Sequence, residues 1–321
     1  LGAVMALLGG KLGHLKDLIT AEFGAKKPEV VEKNHASCQA GYDFIRENYP
    51  DKVKPVLAGV KAARGDMVIT GNEALALGAI AAGMQFFSIY PMTPTSNILH
   101  VLAPLQEKFN FIYKQPEDEI AAVNMAIGAS FAGARALTAT SGGGFCLMTE
   151  GYGLAGITET PLVIIEGMRG SPSTGLPTWT EQGDLQFVRY AHQGDFPRLI
   201  LAAGDIEEAF ALIGQAFNLA DIYQTPVILL MDKHLCESHK NVKPFDFAAY
   251  KINRGKLLTD KKDDYVRYEI TPDGISDRAI PGSGNHFVAN SDEHDPTGYS
   301  NEEPDVRIEQ MNKRMKAFMQ W

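Results

Sequence analysis

Cysteine is scarce in this sequence: Cys38, Cys146 and Cys236 lie far apart, and no two of them form a C-x-x-C pair. An iron–sulfur cluster takes about four thiolates, several at close spacing, so this chain is not expected to carry one. A disulfide framework is equally unexpected, and reduced thiols in a cytoplasmic protein are the plain reading. Long apolar runs are missing too; none approaches the roughly 18–20 residues that cross a bilayer, so no membrane association is expected. Positive charge is not in excess. The formal net charge is −9, which argues against a nucleic-acid partner, because phosphate backbones call for a basic surface. The eight histidines show no H-x-x-x-H or H-E-x-x-H spacing, so no metal site is expected here. His294, within Ser291–Asp295, reads as part of a solvated acidic turn in preference to a cation ligand. The opening residues Leu1–Met5 lack an initiator methionine and a charged n-region, and read as a fragment boundary, not as a signal peptide.

What is present has the composition of a globular protein with a sizeable core, 45% hydrophobic and 21% charged. Residues 1–52 read as helical, with Leu8, Leu12, Leu15 and Leu18 at helical spacing and Pro28 opening a second helix. Residues 53–66, with Pro55, Gly59 and Gly65, read as a linker. Over 67–235, short apolar runs alternate with helical stretches. The first is Met67–Thr70, followed by Phe86–Tyr90, Phe111–Tyr113, Ala136–Thr140, Leu162–Glu166, Arg198–Ala202 and Pro226–Met231. That alternation predicts an α/β fold, a parallel sheet flanked by helices. Asp205 is the expected N-cap of one long helix. The remainder, 236–321, is polar and aperiodic from Lys261 to Pro304, and reads equally well as disorder or as an extended arm pinned against something. A last helix is expected with Asp305 as N-cap and Val306–Trp321 as body.

Parallel sheets bind ligands beyond the carboxyl ends of their strands, which directs attention to four loops. Tyr90-Pro91-Met92-Thr93-Pro94-Thr95-Ser96 combines two stiffening prolines with hydroxyls near a helix start; a capped helix start is the favoured plain reading, an anion site the other. Gln115–Glu119 leads into the Ala-rich helix Ile120–Gly128. Acidic residues there normally serve the helix dipole, although a carboxyl at the lip of a buried helix can share a proton with a ligand nitrogen. Ser141-Gly142-Gly143-Gly144 fits neither G-x-G-x-x-G nor the P-loop, so a tight strand-to-helix turn is favoured over a nucleotide site. In the last loop, Arg169 stands among Gly, Ser, Pro and Thr residues through Thr178. A carboxylate clamp and a solvated surface arginine are evenly matched there.

In this order and spacing, Tyr90–Pro94, Glu119 before its Ala-rich helix, Ser141–Gly144 and Arg169–Thr178 resemble the alpha subunit of 2-oxoacid:ferredoxin oxidoreductases, especially the 2-oxoglutarate-type enzymes. The similarity extends to residues 1–50, which look like the tail of a gamma-type domain, and to residues 264–317, which look like the arm after a pyrimidine-binding domain. The resemblance implies that most of the gamma domain and a fused transketolase-like domain are absent here. It implies oxidative decarboxylation of a 2-oxoacid, 2-oxoglutarate leading, to acyl-CoA, with electrons passed to ferredoxin. It implies thiamine diphosphate shared with a beta subunit, whose chain would hold Mg²⁺ and the 4Fe–4S cluster. On this likeness Glu119 contacts the aminopyrimidine ring and promotes the imino tautomer that deprotonates C2. Ser141 and Gly142 lie against the cofactor, Thr93 contacts the substrate, and Arg169 holds its carboxylate with Thr174 and Thr178 on the same loop. Met92 stands where the family usually has Ile, and Gly143 where it usually has Pro. A scaffold that keeps the fold without catalysis is the alternative; the presence of Glu119 favours the enzyme.

Overall fold

The computed structural model describes residues 1–24, 27–54 and 65–319. Most of the expected linker, 55–64, lies outside the described residues. The chain divides into two units, Leu1–Arg64 and Gly65–Trp321. The first holds α1 (Gly2–Leu7), α2 (Leu12–Phe23) and α3 (Pro28–Asn48). Ile19, Val31 and Cys38 form its small core, with Leu12 and Leu15 packed against it. Leu18, expected on the same stripe, is exposed.

In the second unit the chain runs β1 (Met67–Thr70), α4 (Gly71–Ala81), β2 (Phe86–Ile89), α5 (Ser96–Leu102), α6 (Gln106–Phe109), β3 (Ile112–Lys114), α7 (Glu119–Phe131) and β4 (Ala136–Thr140). It continues through α8 (Gly142–Ile157), β5 (Leu162–Met168), α9 (Leu185–Tyr190), β6 (Leu199–Ala202), α10 (Ile206–Tyr223) and β7 (Pro226–Asp232). After α11 (Lys233–Glu237) and β8 (His239–Val242), a 3-10 turn at Phe247–Ala249, β9 (Leu257–Leu258) and β10 (Arg278–Ala279) punctuate the chain before α12 (Pro304–Phe318).

Six strands form one parallel sheet in the order β3-β2-β4-β5-β7-β6. Alternation along its central strands fills two cores. Val163 and Ile165 of β5 and Val227 and Leu229 of β7 join one, on the side of α4 and α10. Leu162, Ile164, Ile228 and Leu230 join the other, with Val123 of α7 and Phe145, Met148 and Tyr152 of α8. Each such side chain stabilises the fold by about 1.5–3 kcal/mol on burial.

Three expectations are corrected. Met67–Thr70 stands outside this sheet and pairs antiparallel with β8, Met67 opposite Val242. Its Val68 is 61% exposed while Ile69 is buried, the signature of a half-wet ribbon and not of a strand covered on both faces. The helical stretch expected between Phe86–Tyr90 and Phe111–Tyr113, from Thr93 to Phe109, breaks into α5 and α6, because Pro104 cannot donate to a continuous helix. The last helix begins two residues early, at Pro304, with no side-chain cap at Glu303; proline suits the first helical position because its missing N–H would go unused. Asp205 does cap α10, accepting from the Glu208 N–H at 2.8 Å. The segment from Lys261 to Pro304 is an extended arm packed on the sheet unit: Arg267 and Lys313 reach Glu159, and Arg278 reaches Asp221.

Candidate functional site

The loops after β2, β3, β4 and β5 all leave from the carboxyl edge of the sheet, and the one after β3 exits through a side-chain cap. Asp118 accepts from the Ala121 N–H at 2.8 Å and so opens α7 at Glu119. Glu119 is 3% exposed, and its Oε1 has no hydrogen-bond partner. A buried carboxyl oxygen left bare costs free energy unless something else meets it. The absence of a side chain at Gly144 makes the space: a Cβ there would stand 2.7 Å from that oxygen. The third glycine of the Ser141–Gly144 turn is therefore a steric requirement of Glu119.

Arg169 follows β5 and is 9% exposed. Its Nη1 donates to the Thr93 carbonyl at 2.8 Å and its Nη2 to the Thr174 carbonyl at 3.2 Å. The guanidinium thus ties the loop after β2 to its own loop and keeps further N–H donors on the same fork. Among the described residues it forms no salt bridge. A cation so buried, held here by carbonyl dipoles, is chemically able to receive an anion.

Arg169 lines a cavity of about 220 Å³ with Ser141, Gly142, Gly143, Cys146, Ser173 and Asp184. The Ser141 hydroxyl is buried without a partner. The structure therefore brings Arg169, Ser141 and Gly142 to one cavity, with the backbones of Thr93 and Thr174 fixed by the guanidinium. Thr174 itself is exposed. Thr178 stands apart, in a neighbouring cavity of about 300 Å³ with Trp179, Thr180, Lys233 and His234.

Four residues escaped the sequence reading. Asn72 of α4 is fully buried and donates to the Pro94 carbonyl at 2.9 Å, holding the loop after β2. Asp232 caps α11 and accepts from Gln182 at 2.6 Å, which moors the return limb of the Arg169 loop. Glu166 is fully buried in β5, and Asp184 meets it. A glutamate closing the apolar run Leu162–Ile165 was the one signal in the sequence. His294 is corrected here as well: it is buried, its ring 4.1 Å from that of Tyr268, and burial lowers its pKa. The turn around it keeps Ser291 and Asp292 exposed, so only the histidine itself departs from the expected solvated turn. No group of three or more His, Cys, Asp or Glu able to hold a metal occurs among the described residues, and no described helix is long and apolar enough to cross a membrane.

Residues 77–313 match the family model described as pyruvate flavodoxin/ferredoxin oxidoreductase, thiamine diphosphate-binding. The chain belongs to this family. A 2-oxoacid:ferredoxin oxidoreductase alpha subunit of Aeropyrum pernix is 38% identical over 99% of the chain and 52% of its own length. The 2-oxoglutarate synthase subunit KorA of Archaeoglobus fulgidus is 50% identical over 53% of the chain and 50% of its own length. Among solved structures, the 2-oxoglutarate:ferredoxin oxidoreductase of Magnetococcus marinus, with 2-oxoglutarate, coenzyme A and succinyl-CoA bound, superposes with a TM-score of 0.82. It shares 34% identity and covers 99% of this chain and 56% of its own. The chain thus spans about half the length of the curated relatives it matches. Family membership agrees with the six-stranded parallel sheet.

Proposed function

We propose that this chain is the thiamine-binding part of the alpha subunit of a 2-oxoacid:ferredoxin oxidoreductase, and that 2-oxoglutarate is its substrate. The observation that carries the reading is the pairing of two unanswered groups at one sheet edge. One is the bare buried oxygen of Glu119; the other is the buried, unpaired guanidinium of Arg169. The residues present fit the family's cofactor, because a buried carboxyl oxygen and the free Ser141 hydroxyl both await a polar ligand beside a glycine turn. Glu119, Ser141 and Gly142 would hold its aminopyrimidine side. Thiamine diphosphate, when bound, supplies an electron sink for the bonding pair released on decarboxylation.

Glu119 holds a proton at its carboxyl oxygen and exchanges it with a ring nitrogen of the ligand. Arg169 orients the substrate by its carboxylate through the N–H groups that face the cavity. Thr93 and Thr174, already positioned through their carbonyls, complete the substrate side, and Thr178 would join it from the separate cavity it lines. A beta subunit would supply the diphosphate and Mg²⁺ site and a 4Fe–4S cluster, and ferredoxin and CoA would complete the reaction. Within the chain, 67–235 serves as the pyrimidine-binding domain, 1–52 as the tail of a gamma-type domain, 53–66 as a linker, and 236–321 as arm and terminal helix. The names and bound ligands of the relatives support 2-oxoglutarate over other 2-oxoacids.

The test is viologen reduction by the complete protein assembled with its beta subunit, with 2-oxoglutarate and pyruvate compared in the presence of CoA. Glu119→Gln is expected to lower kcat about 10²–10⁴-fold. Arg169→Ala is expected to raise KM for the 2-oxoacid about 10–100-fold, the worth of a charge-assisted hydrogen bond. Reduction that is indifferent to both substitutions refutes the reading.

A further inference from the structure

Glu166 interrupts the apolar run of β5 at the middle of the sheet, between Thr140 of β4 and Leu230 of β7 in register. Neither of its buried oxygens meets an N–H or O–H donor of the protein. The group within hydrogen-bonding reach is the carboxyl of Asp184. Asp184 occupies the N-cap position of α9 yet gives no capping bond, and it is 8% exposed. Its Oδ2 presses on the backbone of Gly142, where a Cβ would come within 2.7 Å. Two carboxylates in such a place cannot both ionise, so the pair shares one proton. Burial, then the charge of Asp184, push Glu166 well above the ordinary carboxylate range, which makes Glu166 the proton holder.

Residues 166 and 184 also bracket the loop that carries Arg169, Thr174 and Thr178. The tip of that loop is tied internally, Leu176 N–H to the Gly170 carbonyl at 2.7 Å and Ser171 N–H to Glu181 at 2.9 Å. Nothing in those ties fixes the loop's base to the strand. We propose that Glu166 and Asp184 form a proton-held latch that closes the base of this loop, making them positioning residues for the substrate carboxylate. The proposal rests on the reading of Arg169 as the carboxylate receptor.

The surroundings favour a single negative charge. From the β7–α11 corner the pair faces Cys236, whose thiol is pushed up by burial first and then by Asp232, Glu237 and Glu166. From α8 it faces Cys146, pushed up by burial and by Asp184. Arg169 shares the cavity with Asp184 and supplies its positive charge. Because the Glu166 value is raised, the latch is closed at lower pH and is lost as pH rises through that value. Opening leaves two facing carboxylates and loosens the loop's base at Asp184, while Gln182 still holds the return limb to Asp232.

Two measurements on the complete protein with its partner subunit decide the matter. Infrared spectra recorded at pH above the ordinary carboxylate range should show a neutral carboxylic-acid C=O band that Glu166→Gln removes. The KM of the wild type for 2-oxoglutarate should climb as pH rises through the raised Glu166 value, at nearly constant kcat. Glu166→Gln, whose amide donates to Asp184 at any pH, should keep a low, flat KM, and Glu166→Leu should raise KM about tenfold throughout. A missing acid band, or one pH profile shared by wild type and Glu166→Gln, overturns the latch. If the wild type turns over no 2-oxoacid, the reading of Arg169 falls separately. The band then still decides the proton-sharing pair, and chymotryptic cleavage at the exposed Trp179 decides the latch. Faster cleavage in Glu166→Leu supports it, and equal cleavage overturns it.

Discussion

Across the sheet, β5 and β7 turn Val163, Ile165, Val227 and Leu229 to one face and Leu162, Ile164, Ile228 and Leu230 to the other. Along the arm and its terminal helix, residues 236–321, the buried side chains include four cations, Arg267, Arg278, Lys313 and Arg314. Asp221 of α10 gathers Arg135, Arg254 and Arg278 at 3.0, 2.8 and 3.2 Å. Glu159 after α8 takes Lys313 at 2.6 Å on both oxygens, while Arg267 donates to its carbonyl at 2.8 Å. Burial pulls Arg278 down to about 10, with Arg267 and Arg254 adding to the pull and Asp221 opposing it. Apolar burial is non-directional and forgiving, so it can build a sheet from many interchangeable side chains. Buried ion pairs add little net stability, yet losing one partner is costly, so they fix one docked geometry for a segment without regular structure.

Four substitutions or conditions break or sharpen that contrast. Asp221→Ala strands three guanidinium groups, two of them deeply buried, and should cost about 3–5 kcal/mol in urea titrations, releasing the arm to proteases. Lys313→Met should cost slightly less, about 3 kcal/mol, while adding Glu159→Leu should restore stability to within about 1 kcal/mol of wild type. Failure of the double variant to recover would mean that the arm depends on its charges for stability and not only for geometry. Ile164→Val in the sheet should cost only about 0.5–1.5 kcal/mol, because the core can absorb one methylene. Acid gives the smallest effect. Burial opposes ionisation of Glu159, but Lys313, Arg267 and Arg314 hold its pKa below the ordinary value. Its contribution is therefore present above the ordinary carboxylate range and fades as pH falls through the lowered value. Arm-specific protease cleavage should rise at that end of the pH scale before the sheet unfolds.

The same contrast explains what could be read from the sequence. The strands at Ala136–Thr140, Leu162–Glu166 and Pro226–Met231 were legible because a strand covered on both faces writes itself as a local apolar run. The loops were legible because they follow such runs, and Asp205 because a cap is a local device. Met67–Thr70 misled, since four apolar letters do not say which sheet they join. The arm left disorder and docking evenly matched. Its anchors join residues far apart in sequence, Lys313 to Glu159 and Arg278 to Asp221, and no periodicity encodes such pairs. The bare oxygen of Glu119 was invisible for the same reason. Its neighbour Gly144 lies on another helix, and only the packed structure shows that the two share space.

The central claim is that Glu119 sits ready to exchange a proton with the thiamine ring, and isotope exchange reads that step without any 2-oxoacid. The measurement is hydrogen–deuterium exchange at the thiamine C2 position, followed by proton NMR in the complete protein with its beta subunit, with Lys240→Ala as a surface control. The account predicts fast exchange in the wild type and the control, and exchange slowed about 10²–10⁴-fold in Glu119→Gln. Equal exchange in all three, with cofactor bound in each, would contradict it.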